Sequence, residues 1–338
     1  MSADPRRSGA ILKVIVAVVA WGASFIATKV ALRDLSPVAL VWTRFLMGVL
    51  ILGATAAFRR ELRGIPVRDL GYFALLGFLG ITFHQWLQSN GLVTARASTT
   101  AWIVASTPVF IAILGHALLR ERLRGIEIAG IALAAAGVVL VATRGDLAEL
   151  ARGRFGAPGD ILVLISAPNW AVFSVLSRRG LREHPPGRMM FYVMTLGWIF
   201  TTGLMLPGTG ASARELAGLG AGGWVAVAFL GVVCSGLAYI FWYDALALLP
   251  ASKIGAFLYL EPLVAVLVAW AVLGEPLGAA TLLGGGIILL GVWLVSRPSS
   301  VSAPTRSPRP ESPSPRTSGG NREPSSRPPA SSPRRDGS

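Results

Sequence analysis

One stretch of this chain is written twice. Residues 97–141 fall without a gap on residues 251–295 when moved forward by 154 positions, and 12 of the 45 positions are then identical. Shared apolar composition explains some of these matches but not the order of the landmarks. Ala97-Ser98 falls on Ala251-Ser252, Pro108 on Pro262, Glu121 on Glu275, and Gly130 and Gly137 on Gly284 and Gly291. An internal repeat constrains architecture before any single helix is placed, because each copy must build the same unit. A weaker echo sets Trp21 and Lys29 against Trp170 and Arg178, at the same spacing of eight.

The repeat sits in a chain suited to lipid. Of 338 residues, 53% are hydrophobic and 14% charged, well below the roughly 25% charge of soluble domains. A membrane-crossing helix takes about 20 mostly apolar residues. Ten segments supply them: 11–32, 37–57, 69–90, 97–119, 125–143, 159–178, 188–206, 223–247, 253–273 and 277–296. The first follows Arg6 and Arg7 without a short core and small-residue cleavage site, so it is expected to stay as a helix. Cys234, the single cysteine, lies in an apolar run, which leaves no internal disulfide and argues against a metal or redox framework. A net charge of +14 does not make a nucleic-acid binder, because the basic residues fall in the connections and in the last forty residues, with no basic, aromatic-rich module. No metal, cofactor or nucleic acid is expected.

Lys and Arg accumulate in cytoplasmic loops. Even-numbered connections carry Arg59, Arg60, Arg63 and Arg68, then Arg120, Arg122 and Arg124, then Arg178, Arg179, Arg182 and Arg188; odd-numbered ones are sparse or balanced, as in Arg33 with Asp34 and Arg214 with Glu215. Both termini are therefore placed in the cytoplasm. Five helices per half is an odd number, so the two halves run in opposite directions, as in secondary transporters that hold substrate near the midplane. The expected fold is an all-α integral membrane protein with ten transmembrane helices arranged as two inverted five-helix repeats. Residues 1–10 form a cytoplasmic N-terminus, 11–143 the first repeat, 144–158 a linker, 159–297 the second repeat, and 298–338 a Pro/Ser/Arg-rich cytoplasmic tail. The tail cannot bury apolar surface and is expected to be disordered and solvated, although its arginines would favour anionic lipid.

Trp21-Gly22 and Lys29 in the first segment, Arg44-Phe45 in the second, Pro108 and Glu121-Arg122 in the fourth and Gly137-Val138 in the fifth, echoed by Glu261-Pro262, Gly274-Glu275 and Gly291-Val292, form a set. The set resembles the EamA-type members of the drug/metabolite transporter superfamily over about residues 11–297. The resemblance implies a ten-helix inner-membrane carrier, often an exporter of amino acids or other small metabolites. The chain departs from the family pattern at Arg120, where a small residue usually precedes the glutamate; Gly274 keeps it in the second half.

Charged groups inside the hydrocarbon are costly and are usually functional or paired. Glu261 lies eight residues beyond Lys253, about 12 Å into the membrane on an unbroken helix. Pro262 beside it frees a carbonyl near Leu258. Glu261 is read as a proton-coupling or substrate-amine carboxylate, against the alternative of an ion pair with Arg44. Arg44 cannot lose its proton, so it either clamps a substrate carboxylate or pairs with Glu261 or Asp244. Lys29 either snorkels to the interface or acts in transport, as one of only three lysines in the chain. His84 and Gln88 share a helix face, and His84 is a candidate proton shuttle or a packed histidine. Trp21, Trp102, Trp170, Tyr239, Trp242 and Tyr259, with Asn169 as a hydrogen-bonding group, would line a cavity for amphipathic metabolites; the alternative for each aromatic is ordinary packing. Gly130, Gly137, Gly284 and Gly291 suit close helix approach, within the bundle or between subunits of a homodimer.

These readings point to a secondary active transporter that exports a small organic metabolite, an amino acid or a drug-like compound, across the cytoplasmic membrane by alternating access, with protons as the candidate coupling ion and membrane lipids as its surroundings. An uptake carrier or facilitator is the alternative within the class. An intramembrane lipid-modifying enzyme or a flippase subunit is the alternative outside it. No nucleophile, base and orienting group recur in a recognisable catalytic spacing, so no catalytic residue is expected.

Overall fold

The computed structural model describes residues 5–62, 64–119, 123–146, 148, 155–246, 248–249, 254–255 and 257–296, and these are helical or connecting, with no strand among them. Helices α1 (Pro5–Ala31) and α2 (Pro37–Phe58) are followed by α3 (Val67–Thr94), α4 (Ala97–Ala117) and α5 (Gly125–Ala142). The second half runs through α6 (Pro158–Glu183), α7 (Pro186–Ala217), α8 (Ala221–Leu246), α9 (Leu260–Leu273) and α10 (Ala279–Val295). Eight of these, α1 to α8, contain stretches long and apolar enough to cross a membrane, and α9 and α10 are shorter apolar helices. Prolines stand at the first turn of α2, α6 and α7, where a missing N–H costs nothing and the fixed φ favours helix. The tail, Lys253 and the Glu121-Arg122 pair lie outside the described residues.

The repeat recurs in the irregularities of the helices. A π-helical turn interrupts α3 at Phe78–Phe83, and another interrupts α8 at Phe229–Leu237, which contains the counterpart positions 154 residues on. Such a turn widens the helix and leaves carbonyls without their usual i+4 donors. In α4 the regular helix stops at Ala105 and resumes at Thr107, just before Pro108. In the second copy Ile254, Gly255 and Phe257 are helical, Leu258 and Tyr259 form a turn, and α9 runs from Leu260, just before Pro262. The expected continuous segment from 253 is thus interrupted at Leu258 and Tyr259, and the depth reckoned for Glu261 starts from Lys253, which lies outside the described residues. The carbonyl that each proline frees is recaptured locally. Val104 accepts the Thr107 hydroxyl at 2.6 Å, whereas Leu258 accepts the Glu261 backbone N–H at 3.1 Å.

Helices pair mainly with helices of the other half. α1 packs on α8 and α9, and α6 packs on α3 and α4; α2 packs on α7 and α8, and α7 packs on α2 and α3. α5 and α10 make the most extensive contact. A Cβ added at Gly130 would meet the Gly291 carbonyl at 2.7 Å, and one at Gly137 would meet the Gly284 carbonyl at 2.7 Å. Residues Met1–Arg297 consequently form one compact unit instead of two.

Candidate functional site

The two π-helical turns present hydrogen-bonding atoms toward the neighbouring helices. Trp21 on α1 donates its indole N–H to the Cys234 carbonyl at 3.1 Å, and Asn169 on α6 donates its amide to the Leu79 carbonyl at 2.8 Å. The apolar walls of the bundle leave these groups no water, so a side chain of the partner helix satisfies them.

Arg44 lies where these elements meet and is only 7% exposed. Its Nε donates to Ser235 Oγ at 3.1 Å and its terminal nitrogen to Gln85 Oε1 at 3.2 Å, with the guanidinium 5.0 Å from the Phe45 ring centre. It forms no ion pair among the described residues. A buried cation held only by neutral acceptors carries a large desolvation cost, and an anionic ligand would offset it. The alternative partners considered from sequence are not used. Asp244 binds Lys13 at 2.7 Å and Arg59 at 2.7 and 3.2 Å, and Glu261 makes no hydrogen bond or ion pair through its carboxylate to a described residue. Arg59 lies past the end of α2, and its hydrogen bond to Asp244 raises its guanidinium above the ordinary value.

Glu261 occupies the first turn of α9, where its backbone carbonyl would lie 2.7 Å from a Cβ placed on Gly22. That approach sets it next to Trp21. Trp21 in turn packs against Tyr239 with ring centres 5.5 Å apart and against Trp242 at 5.2 Å, and Tyr239 against Tyr243 at 6.3 Å. One residue before Gln85, His84 is buried at 5% exposure, with its ring centre 4.7 Å from that of the tilted Trp170 ring and its Nδ1 making no hydrogen bond to a described residue.

The structure thus gathers Trp21, Arg44, Tyr239, Trp242 and Glu261 around α1, α2, α8 and α9, and joins them through Gln85 to His84, Trp170 and Asn169. Other candidates lie elsewhere. Trp102 is 2% exposed and packs against Gly285 on α10, and Tyr259 leans on the same core cluster. Gln88 is half-buried without a hydrogen bond to a described residue. Lys29 donates to the Ala95 carbonyl at one end of the bundle, in a cavity of about 380 Å³ shared with Arg33, Arg96 and Glu275. Glu275 caps α4 there, accepting the backbone N–H of Ala97 at 2.8 Å and of Ser98 at 3.1 Å, and the Ser98 hydroxyl at 2.5 Å. Sequence reasoning missed Ser235 and the Lys13–Arg59–Asp244 cluster. Only the position of Ser235 between Cys234 and Gly236, a run of small residues inside an apolar helix, hinted at it.

Multiple apolar helices, a duplicated arrangement of interrupted segments and an arginine buried among aromatics without an ion pair to a described residue mark a multi-pass membrane protein with a candidate anion site. The profile of the EamA-like transporter family matches residues 8–143 and again 157–297, and the chain belongs to that family. It is 29% identical to a "probable terminal-alkyne amino-acid exporter" of Streptantibioticus cattleyicolor, over 86% of this chain and 94% of that protein. It is 28% identical to an "uncharacterized transporter" of Archaeoglobus fulgidus, over 82% of this chain and 93% of that protein. A "probable amino-acid metabolite efflux pump" of Salmonella typhimurium is 25% identical, over 83% and 92%. A solved crystal structure shares the fold at a TM-score of 0.57, with 22% identity over 85% of this chain and 96% of that one.

Proposed function

We propose that the chain is a secondary active transporter that exports a small organic metabolite across the cytoplasmic membrane by alternating access, with Glu261 carrying the coupling proton. The observation that carries this reading is the position of Glu261: an ionisable group at the start of a broken helix, beside Trp21, whose indole binds the Cys234 carbonyl next to the Ser235 hydroxyl that accepts from Arg44. Its counterpart in the first copy is Thr107, so the two copies are not equivalent at this point. A carboxylate that exchanges its proton and a guanidinium that never does divide the work. Glu261 couples and Arg44 holds the anionic end of the substrate by charge-assisted hydrogen bonds, while Trp21, Tyr239, Trp242 and Trp170 contact its apolar part.

The ten helices are read as two inverted five-helix repeats with both termini cytoplasmic. The exchange of partners supports this: α1–α8 corresponds to α6–α3, and the contact of Gly130 with Gly291 corresponds to that of Gly284 with Gly137. A pseudo-two-fold axis generates such pairs. Because each half is clasped by the other, the bodies that rock are mixed groups of helices and not the chain halves. The exporter names carried by the Streptantibioticus and Salmonella relatives support an amino acid or a related metabolite as cargo.

The test is flux in proteoliposomes over a panel of amino acids, nucleosides and cationic drugs, with and without a pH gradient. Glu261→Gln is expected to abolish gradient-driven accumulation while substrate exchange at equal pH continues. Gradient-driven accumulation by Glu261→Gln at the wild-type rate overturns the coupling role.

A further inference from the structure

The end of the bundle where α1, α3 and α9 finish holds the 380 Å³ cavity in which Lys29 was found. A volume of this size falls within the usual range of ligand pockets. Its walls divide by chemistry. Lys29, Arg33 and Arg96 bring three cationic side chains, while Leu92, Val93 and Leu273 supply apolar surface. The acidic group on the lining, Glu275, has both carboxylate oxygens engaged by the first turn of α4. Lys29 is half-buried and holds the Ala95 carbonyl; Asp160, the other acid acting on it, is 1% exposed and receives the Ala157 N–H at 2.7 Å. The guanidinium groups of Arg33 and Arg96 form no hydrogen bond or ion pair with a described residue, and both repel Lys29. Positive charge therefore exceeds negative charge on the described lining of the cavity, and two of its cations make no hydrogen bond or ion pair within the described protein.

We propose that this cavity is a second binding site, separate from the Arg44 and Glu261 centre, for a soluble organic carboxylate. Arg33 and Arg96 clamp the carboxylate beside Lys29, and the aliphatic part of the ligand lies on Leu92, Val93 and Leu273. Planar guanidinium groups suit a carboxylate because they can donate two parallel hydrogen bonds to it.

The probes are hexanoate, hexanol and hexylamine, titrated calorimetrically into the purified full-length protein in a neutral detergent. Hexanoate is expected to bind saturably and the other two not to bind. Arg33→Gln and Arg96→Gln should each weaken hexanoate by about tenfold, a loss that Arg96→Lys, which keeps the charge but not the planar fork, restores only in part. These two guanidinium groups form no hydrogen bond or ion pair with a described side chain, so the variants are expected to fold; Arg178→Gln, an exposed change at the opposite end, should leave binding unchanged. Equal binding of hexanoate and hexanol, or full affinity in the Arg33→Gln/Arg96→Gln double variant, overturns the proposal. Repetition in bilayer discs separates the soluble ligand from a lipid headgroup. Affinity that persists when phosphatidylglycerol replaces phosphatidylcholine supports the site as stated, and displacement by phosphatidylglycerol overturns it. Binding needs no transport, so this outcome and that of the flux experiment are independent.

Discussion

Single residues in this bundle act through the backbone breaks they serve. Gly274 ends α9 at φ 66°, in the left-handed region, and that turn directs Glu275 back onto the start of α4. The glutamate then satisfies two backbone donors and a hydroxyl that would otherwise face apolar surroundings. Glu275→Gln keeps one acceptor oxygen and loses the charge, so it is expected to lower stability by about 1–2 kcal/mol, read as a fall in thermal midpoint in detergent. Arg44 shows how far a residue can be read in sequence. Its charge and depth marked it as a candidate, but neither acid weighed as an alternative partner pairs with it in the structure. Asp244 is occupied by Lys13 and Arg59, and Arg44 instead meets Ser235 and Gln85. Partner choice depends on how helices rotate against one another, which no single segment encodes.

At the scale of the helix, the two prolines of the repeat have different consequences. Pro108 follows Thr107, whose hydroxyl takes up the freed Val104 carbonyl. Pro262 follows Glu261, whose own backbone N–H takes up the carbonyl of Leu258 and leaves the carboxylate to other uses. Pro262→Ala would allow the helix to run through this point and redirect the first turn of α9. Turnover is expected to fall by at least about tenfold with little loss of folded protein, measured as initial flux against the yield of monodisperse protein. Wild-type turnover in Pro262→Ala would show that the break is incidental to transport. The positions of both prolines were legible in sequence, as was the duplication. The π-helical turns of α3 and α8 were not, because Phe78–Phe83 and Phe229–Leu237 have ordinary apolar composition and the extra residue per turn is imposed by packing.

Across the whole molecule, charge sorts to two ends. Lys13, Arg59 and Asp244 meet at one, and Lys29, Arg96 and Glu275 at the other. With the proposed sidedness the first end is cytoplasmic. A membrane-impermeant maleimide applied to intact cells is expected to label Arg33→Cys and to leave Arg60→Cys unlabelled until the membrane is opened. The native Cys234 is buried and should stay silent. The opposite labelling pattern would overturn the proposed sidedness, with both termini cytoplasmic. The interleaving of the halves also bears on stability. α5 and α10 approach so closely at Gly137 and Gly284 that Gly137→Leu must separate them, at a cost of several kcal/mol of packing, and the expected result is a sharp loss of folded protein on size-exclusion chromatography.

The sequence by itself determined that this protein spans a membrane many times, that it is built from a duplicated unit, and that Glu261 breaks the likeness between the copies. Those properties follow from composition, apolar run length and local repetition, which each segment carries alone. The tertiary structure decided that the halves clasp each other instead of folding side by side, that Arg44 is buried without a described acid against it, and that Glu261 opens a helix instead of sitting within one. These depend on which faces of separate helices meet, and in an apolar segment almost any face can be turned toward a neighbour until the glycines, the freed carbonyls and the buried charges select one arrangement.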